Sequence, residues 1–205
     1  MDDLSLYCHF MRLIKFRLDT VNRLLSGEAT NILPGVLLAE FCTLQQRMVC
    51  ELIALACLSL HRDVPKARNA DLAKLWQADA IIGALDKLHP KFYPRPYKPQ
   101  GISRVPVESG YLTKLELKQL WRLCGERLHQ GTVTKPIALQ PAIDITKDLI
   151  DAHNKITLLL NTHWIQMVEP DWIVTVNMAS KDHGGEVVGD MVFKTDIGDL
   201  GPPTT

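Results

Sequence analysis

EFCTLQQRMVCELIALACLSL, residues 40–60, decides how the rest of the chain is read. From Met48 to Leu60 it is apolar nearly all round a helical wheel, with Glu51 the ionisable exception. A helix without a polar face has to be wrapped by others, so this segment is expected to form the central helix of a mainly α fold. The run falls short of the ~20 residues that span a bilayer, and no membrane partner is expected. Upstream, Asn31 and Pro34 suit the start of the same helix. Before them, Leu4, Phe10, Ile14, Leu18, Val21 and Leu25 belong to a stripe spaced by two to four residues. That stripe predicts an amphipathic helix ending near Ser26-Gly27.

Working downstream, a third helix is expected from Asn69 or Asp71, with Leu72, Leu75, Trp76, Ile82, Leu85 and Leu88 as its core stripe. Residues 89–110, HPKFYPRPYKPQGISRVPVESG, hold five prolines and should be extended or polyproline-like. Thr113 and Glu116 form the T-x-x-E capping box of a fourth helix, and Gly131 suits its C-terminal cap. A fifth helix is expected from about Pro141 to Asn161. The period then changes from that of a helix to that of a strand. Trp172, Val174, Val176 and Met178 alternate with Ile173, Thr175 and Asn177, and VVGDMVF follows KDHGGE. This predicts a β-hairpin with Gly184-Gly185 in its turn, and HWIQMV (163–168) is a candidate third strand. The expected organisation is a four- to five-helix bundle over residues 1–161, a small β-hairpin or three-stranded appendage over 162–197, and a disordered tail over 198–205.

Composition narrows the function classes. The chain has 205 residues, 46% hydrophobic and 22% charged, which fits one ordinary globular domain. Its 23 Lys and Arg balance 23 Asp and Glu, against a strongly cationic protein that coats nucleic acid. The N-terminus, MDDLSLYCHF, has no basic segment followed by an apolar core, so a cytoplasmic location is expected. Five cysteines form no C-x-x-C pair. On one helix Cys42, Cys50 and Cys57 would lie ~12 and ~10 Å apart along the axis, too far to share a metal or a disulfide. They read as buried, reduced thiols. Neither a metal site nor a cofactor is expected, and no phosphate-binding glycine loop or G-x-S-x-G elbow is present.

The residues that could carry chemistry lie in WRLCGERLHQG (121–131), which closes the fourth helix. Arg122 and His129 are seven apart, about 700° of helical turn, and so share a face to within about 20°. A histidine near a helix C-terminus is favoured in its protonated form. Together they suit metal-free phosphodiester chemistry, the imidazole moving protons and the guanidinium neutralising phosphate charge. A surface arginine and a capping histidine fit the same spacing. Helical side chains lean toward the N-terminus, turning Arg122 away from His129 within one chain; a second copy across a dimer interface removes that difficulty. On the central helix Glu40, Arg47 and Glu51 share a stripe. Glu51 needs a partner if buried, either Arg47 or another helix, or it orients His129. In the proline-rich segment Lys91, Arg95 and Lys98 alternate with Tyr93 and Tyr97. That pattern grips single-stranded RNA by stacking and charge, or straps a loop over the bundle by its rings.

An all-α bundle whose late helix carries R-x6-H and closes as LHQG resembles the HEPN superfamily of helical nucleases and nucleotide-binding domains. EFCTLQQRMVCELIALACLSL and KLWQADAIIGALDKLHPKFYPRP (74–96) are similar to segments of uncharacterised HEPN-like proteins. The resemblance covers residues 1 to about 160. It departs from the family at Leu123, where members usually carry a polar residue, and at Gly125, which weakens a regular helix by about 1 kcal/mol. The resemblance implies a homodimer that brings two Arg/His motifs together and a metal-independent ribonuclease with Arg122 and His129 catalytic. It also implies a toxin–antitoxin, stress or anti-phage setting with an antitoxin or other protein partner. Other members only bind nucleotides, which keeps open a non-catalytic module for RNA, a nucleotide or a protein.

Overall fold

The computed structural model describes residues 2–27, 35–62, 74–100, 103–129, 131–132, 135–136 and 142–194. Five helices account for most of them: α1 (Asp3–Leu25), α2 (Gly35–Leu60), α3 (Ala78–Leu88), α4 (Lys114–Leu128) and α5 (Ala142–Leu160). The strands are β1 (Arg95–Gln100), β2 (Ser103–Pro106), β3 (Gly131–Thr132), β4 (Lys135–Pro136), β5 (Thr162–Gln166), β6 (Trp172–Ser180) and β7 (Glu186–Phe193). Five of them form one antiparallel sheet in the order β2-β1-β5-β6-β7, and β3 pairs with β4.

The elements follow from local chemistry. Asp2 caps α1 through a bond from the Ser5 amide (2.7 Å). Ser26 closes it, and Gly27 takes a φ of 93°. The capping box of α4 is present on both sides, Thr113 accepting from the Glu116 amide and Glu116 from the Thr113 amide. The hairpin β6–β7 turns through Lys181–His183 and the left-handed pair Gly184 (φ 63°) and Gly185 (φ 85°). Only glycine reaches both values without steric cost.

Three expectations are corrected and a fourth is made specific. The third helix begins at Ala78; Leu75 and Trp76 precede it, with Trp76 largely exposed, and the positions from Asn69 to Leu72 lie outside the described residues. Gly131 belongs to β3 and His129 is the cap of α4. The proline-rich segment is extended, as expected, and part of that extended backbone forms the strand pair β1–β2. Its prolines are tolerated because β1 changes partner midway. Arg95 and Pro96 pair with β5, whereas Tyr97–Gln100 pair with β2, so few of its amides are needed on both sides. The strands after α5 are therefore no appendage. They complete a sheet whose other edge comes from the middle of the chain.

That sheet also shares the helical core. His163 and Ile165 of β5 lie opposite Val176 and Val174 of β6. Ile165, Val174, Val176 and Met178 pack in one cluster with Tyr7, Met11 and Ile14 of α1, Ile53 of α2, Ile82 of α3, Leu117 of α4 and Ile156 of α5. Gly189 on β7 lets α1 cross closely, since a methyl group there would meet the Cys8 Sγ at 2.7 Å. By length and composition α2 is apolar enough to cross a membrane, and 67% of its most apolar 18-residue window is buried within the protein. The tail, residues 198–205, lies outside the described residues.

Candidate functional site

The outward face of α4 is a row of exposed side chains: Leu115, Gln119, Arg122, Leu123, Glu126 and His129. Arg122 is 63% exposed, and its Nε and Nη2 both donate to Oδ2 of Asp79 on α3, at 3.2 and 2.9 Å. Asp79 sits in the first turn of α3, where the helix dipole favours a carboxylate. The guanidinium of Arg122 therefore already holds an oxyanion. His129 has left the helix, with φ −87° and ψ 136°. Helical periodicity thus carries the Arg122 face only as far as Leu128, and the ring of His129 is aimed by the cap. Within one chain Arg122 meets Asp79, and both it and His129 face solvent.

Arg47 and Glu51 are brought to Trp121 and Gly125 of α4. The Arg47 Nε lies 3.3 Å from Glu51 Oε1, with the two side chains only 21% and 15% exposed. Trp121 Nε1 donates to the same carboxylate oxygen at 2.9 Å. The Arg47 guanidinium stacks 4.8 Å from the centre of the Trp121 ring. Gly125 makes room for it, since a methyl group there would come within 2.3 Å of Arg47 Nη1. The pair is thus a socket between α2 and α4, with Glu51 bound by Arg47 and Trp121. Glycine inside α4 is explained by this approach.

The proposed RNA-gripping residues divide. Lys91 and Lys98 are exposed. The rings of Tyr93 and Tyr97 are buried, so of the two alternatives they serve to strap the segment onto the core and do not offer stacking surfaces. Tyr93 donates its hydroxyl to the Leu112 carbonyl (3.0 Å). Tyr97 packs with Trp164 and Ile173 on the outer face of the sheet. Arg104 lies over the Tyr97 ring at 5.6 Å and Arg95 over Trp164 at 5.3 Å. Those rings are therefore covered by guanidinium planes.

Sequence reasoning missed Asp79, Trp121 as a donor, and the buried histidines. His163 is fully buried; its Nδ1 donates to the Leu160 carbonyl (2.9 Å), so Nε2 accepts from Tyr7 Oη (2.7 Å). Burial pushes its pKa down to about 4. The alternation of HWIQ, which sets His163 on the same face as Ile165, was the available signal. All five cysteines are buried and free, and burial pushes the thiols of Cys42 and Cys124 up to about 11. They stay protonated and serve as packing groups. Among the described residues no group of three His, Cys, Asp or Glu side chains is placed to hold a metal ion. Compared with protein-family models, curated proteins and solved structures, the chain matches none.

Proposed function

We propose that the chain acts as a homodimeric, metal-independent ribonuclease in which Arg122 and His129 of two copies face one RNA strand. The observation that carries this reading is the outward face of α4. Arg122 is exposed, is already engaged with an oxyanion in Asp79, and lies two turns from an exposed histidine. A phosphate can replace the Asp79 carboxylate on the guanidinium, since both present oxyanion acceptors to the same planar edge of N–H donors. The 2′-hydroxyl of the RNA supplies the nucleophile. His129 moves the proton, and Arg122 stabilises the charge on the phosphorane. Lys91, Arg95 and Lys98 add cations that hold the phosphate backbone. The resemblance to HEPN nucleases points the same way, and it further implies a toxin–antitoxin, stress or anti-phage setting with an antitoxin-type partner.

The test is cleavage of RNA in EDTA. Wild type should cut and leave a 2′,3′-cyclic phosphate or its 3′-phosphate hydrolysis product. His129→Ala should lose about 10²–10⁴-fold in rate. Arg122→Lys should also be damaging, because an ammonium does not reproduce the two-toothed grip. Cutting of DNA, or dependence on magnesium, would remove this assignment of roles.

The Asp79–Arg122 pair favours a second reading, a non-catalytic module for RNA, a nucleotide or a protein, in which it simply clasps α3 to α4. Asp79→Ala separates the two. Freed from its carboxylate, Arg122 should engage and cleave RNA at lower RNA concentration under the first reading, whereas under the second neither wild type nor variant cleaves and only a small stability change of about 0–1 kcal/mol follows.

A further inference from the structure

α3 and α4 meet along a ladder of acids and bases with one rung left out. At one end Arg122 donates to Asp79, and at the other Lys114 donates to Asp86. Midway, Lys118 stands over Gly83, where a methyl group would lie 3.7 Å from the Lys118 Nζ. On α4 the three cations follow at steps of four residues, so they run along one face and stand ~6 Å apart along the axis. On α3, positions 79, 83 and 86 return to the facing stripe. Lys118 makes no hydrogen bond or ion pair among the described residues.

Two independent observations mark this seam as a site. The first is the missing rung. Three cations face two carboxylates, which leaves one ammonium open between two that are held. Close packing does not require glycine at position 83, since 3.7 Å is an ordinary contact distance. Glycine there costs the helix about 1 kcal/mol relative to alanine. An aspartate would favour the helix more and complete the ladder, whereas glycine keeps the ammonium of Lys118 accessible. The second observation is Trp76. It stands three residues ahead of Asp79, is 55% exposed, and among the described residues stacks on no other ring or cation. Leaving an indole in water forgoes the burial its large apolar surface would give.

We infer that the α3–α4 seam is a track for single-stranded RNA, with successive phosphates on Lys114, Lys118 and Arg122 and a base stacked on Trp76. The track rests on the reading of this chain as a protein that acts on RNA, and it leads the strand to Arg122. The first phosphate docks on Lys118 without displacing anything. Its neighbours then exchange with Asp79 and Asp86, whose ion pairs are partly exposed and so open at small cost. The turn-by-turn spacing of the cations matches the step between phosphates of an extended strand. A lone phosphate would use only one of them, and a duplex keeps its bases from Trp76. Row and ring together therefore favour a single strand.

The experiment follows the fluorescence anisotropy of a labelled 2′-O-methyl RNA of about ten nucleotides, which has no 2′-hydroxyl and so reports binding without cleavage. The full chain should bind it saturably, and more weakly as salt rises. Lys118→Met should weaken binding about tenfold and lower the salt slope by about 0.7, the share of one phosphate on a single strand. Gly83→Asp should weaken binding likewise while the melting temperature holds or rises. Gly83→Ala should raise the melting temperature and leave binding unchanged. Trp76→Ala should cost about fivefold or more on the single strand and nothing on a duplex, itself the weaker ligand. Three results would overturn the track: no saturable binding, Lys118→Met or Gly83→Asp chains that bind as wild type does, or a duplex bound as tightly as the single strand. Such binding by a chain that cleaves no RNA would keep the track and remove the ribonuclease. Cleavage untouched by Lys118→Met at subsaturating RNA would do the reverse.

Discussion

Gly125 has no room for a methyl group while Arg47 occupies its socket. Glycine in a helix interior costs about 1 kcal/mol relative to alanine, so Gly125→Ala should be stabilising by that amount if nothing stood in the way. Here the new methyl displaces Arg47 from the Trp121 ring and from Glu51. In wild type the substitution is therefore expected to be neutral or destabilising. In an Arg47→Ala background it should stabilise by up to about 1 kcal/mol. A double-mutant cycle by urea unfolding reads this coupling directly, and additive values would contradict the socket. The Arg47–Glu51 pairing was legible from the i, i+4 spacing. Trp121 and Gly125 were not, because their part depends on how α2 and α4 come into register. His163 makes a second residue-scale prediction. Its folded pKa is about 4 against an ordinary value of 6.5, so between those values the unfolded chain binds a proton that the folded ring refuses. Stability is complete above pH 6.5 and falls as pH drops toward 4. At pH 5 it should be about 2 kcal/mol lower than at pH 7.5 on account of this ring. His153 and His61, also shifted down by burial, act in the same direction. Chemical denaturation at the two pH values measures the difference, and a flat profile would contradict the neutral buried imidazole.

At the scale of elements, α4 depends on its first turn. Thr113 both accepts from the Glu116 amide and donates its hydroxyl to Glu116 Oε2 (2.8 Å), and Glu116 is also bonded by Lys155 of α5 (2.8 Å). Thr113→Ala should cost about 1 kcal/mol and Thr113→Ser much less, as read from melting curves; equal losses in both would remove the hydroxyl from the account. This capping box was legible in four residues because its chemistry is local. α1, α2 and α5 were legible for a related reason, each carrying a long apolar pattern of helical period. The β1–β2 pair was not. Five prolines in residues 89–110 argue against a strand when read locally, and only the change of partner along β1 reconciles them with a sheet. The start of α3 was misread because Leu75 and Trp76 continue its apolar period while standing outside the helix.

For the molecule as a whole, joining residues 95–106 to 162–193 in one sheet makes the division at residue 161 untenable as a folding boundary. A chain ending at 161 would leave Tyr7, Met11 and Ile53 without Ile165, Val174 and Val176, which share their cluster, and would remove the acceptor ring of His163 from Tyr7. It is expected to show no cooperative thermal transition; a sharp melt would restore the two-part organisation. The candidate site raises the same issue of what is complete in one chain. Arg122 and His129 were visible in the sequence as a spacing, but that Arg122 meets Asp79 and that His129 leaves the helix as its cap are properties of packing. Under the proposed function catalysis belongs to two copies, each lending an arginine or a histidine to the other. The most direct measurement mixes Arg122→Ala and His129→Ala chains, unfolds and refolds them together, and assays RNA cleavage in EDTA beside wild type. Each variant alone should be inactive. The mixture should recover about a quarter of wild-type activity, since half the dimers are mixed and each carries one intact site of two. A mixture as inactive as its components, or a wild type that leaves RNA uncut, would contradict the shared site.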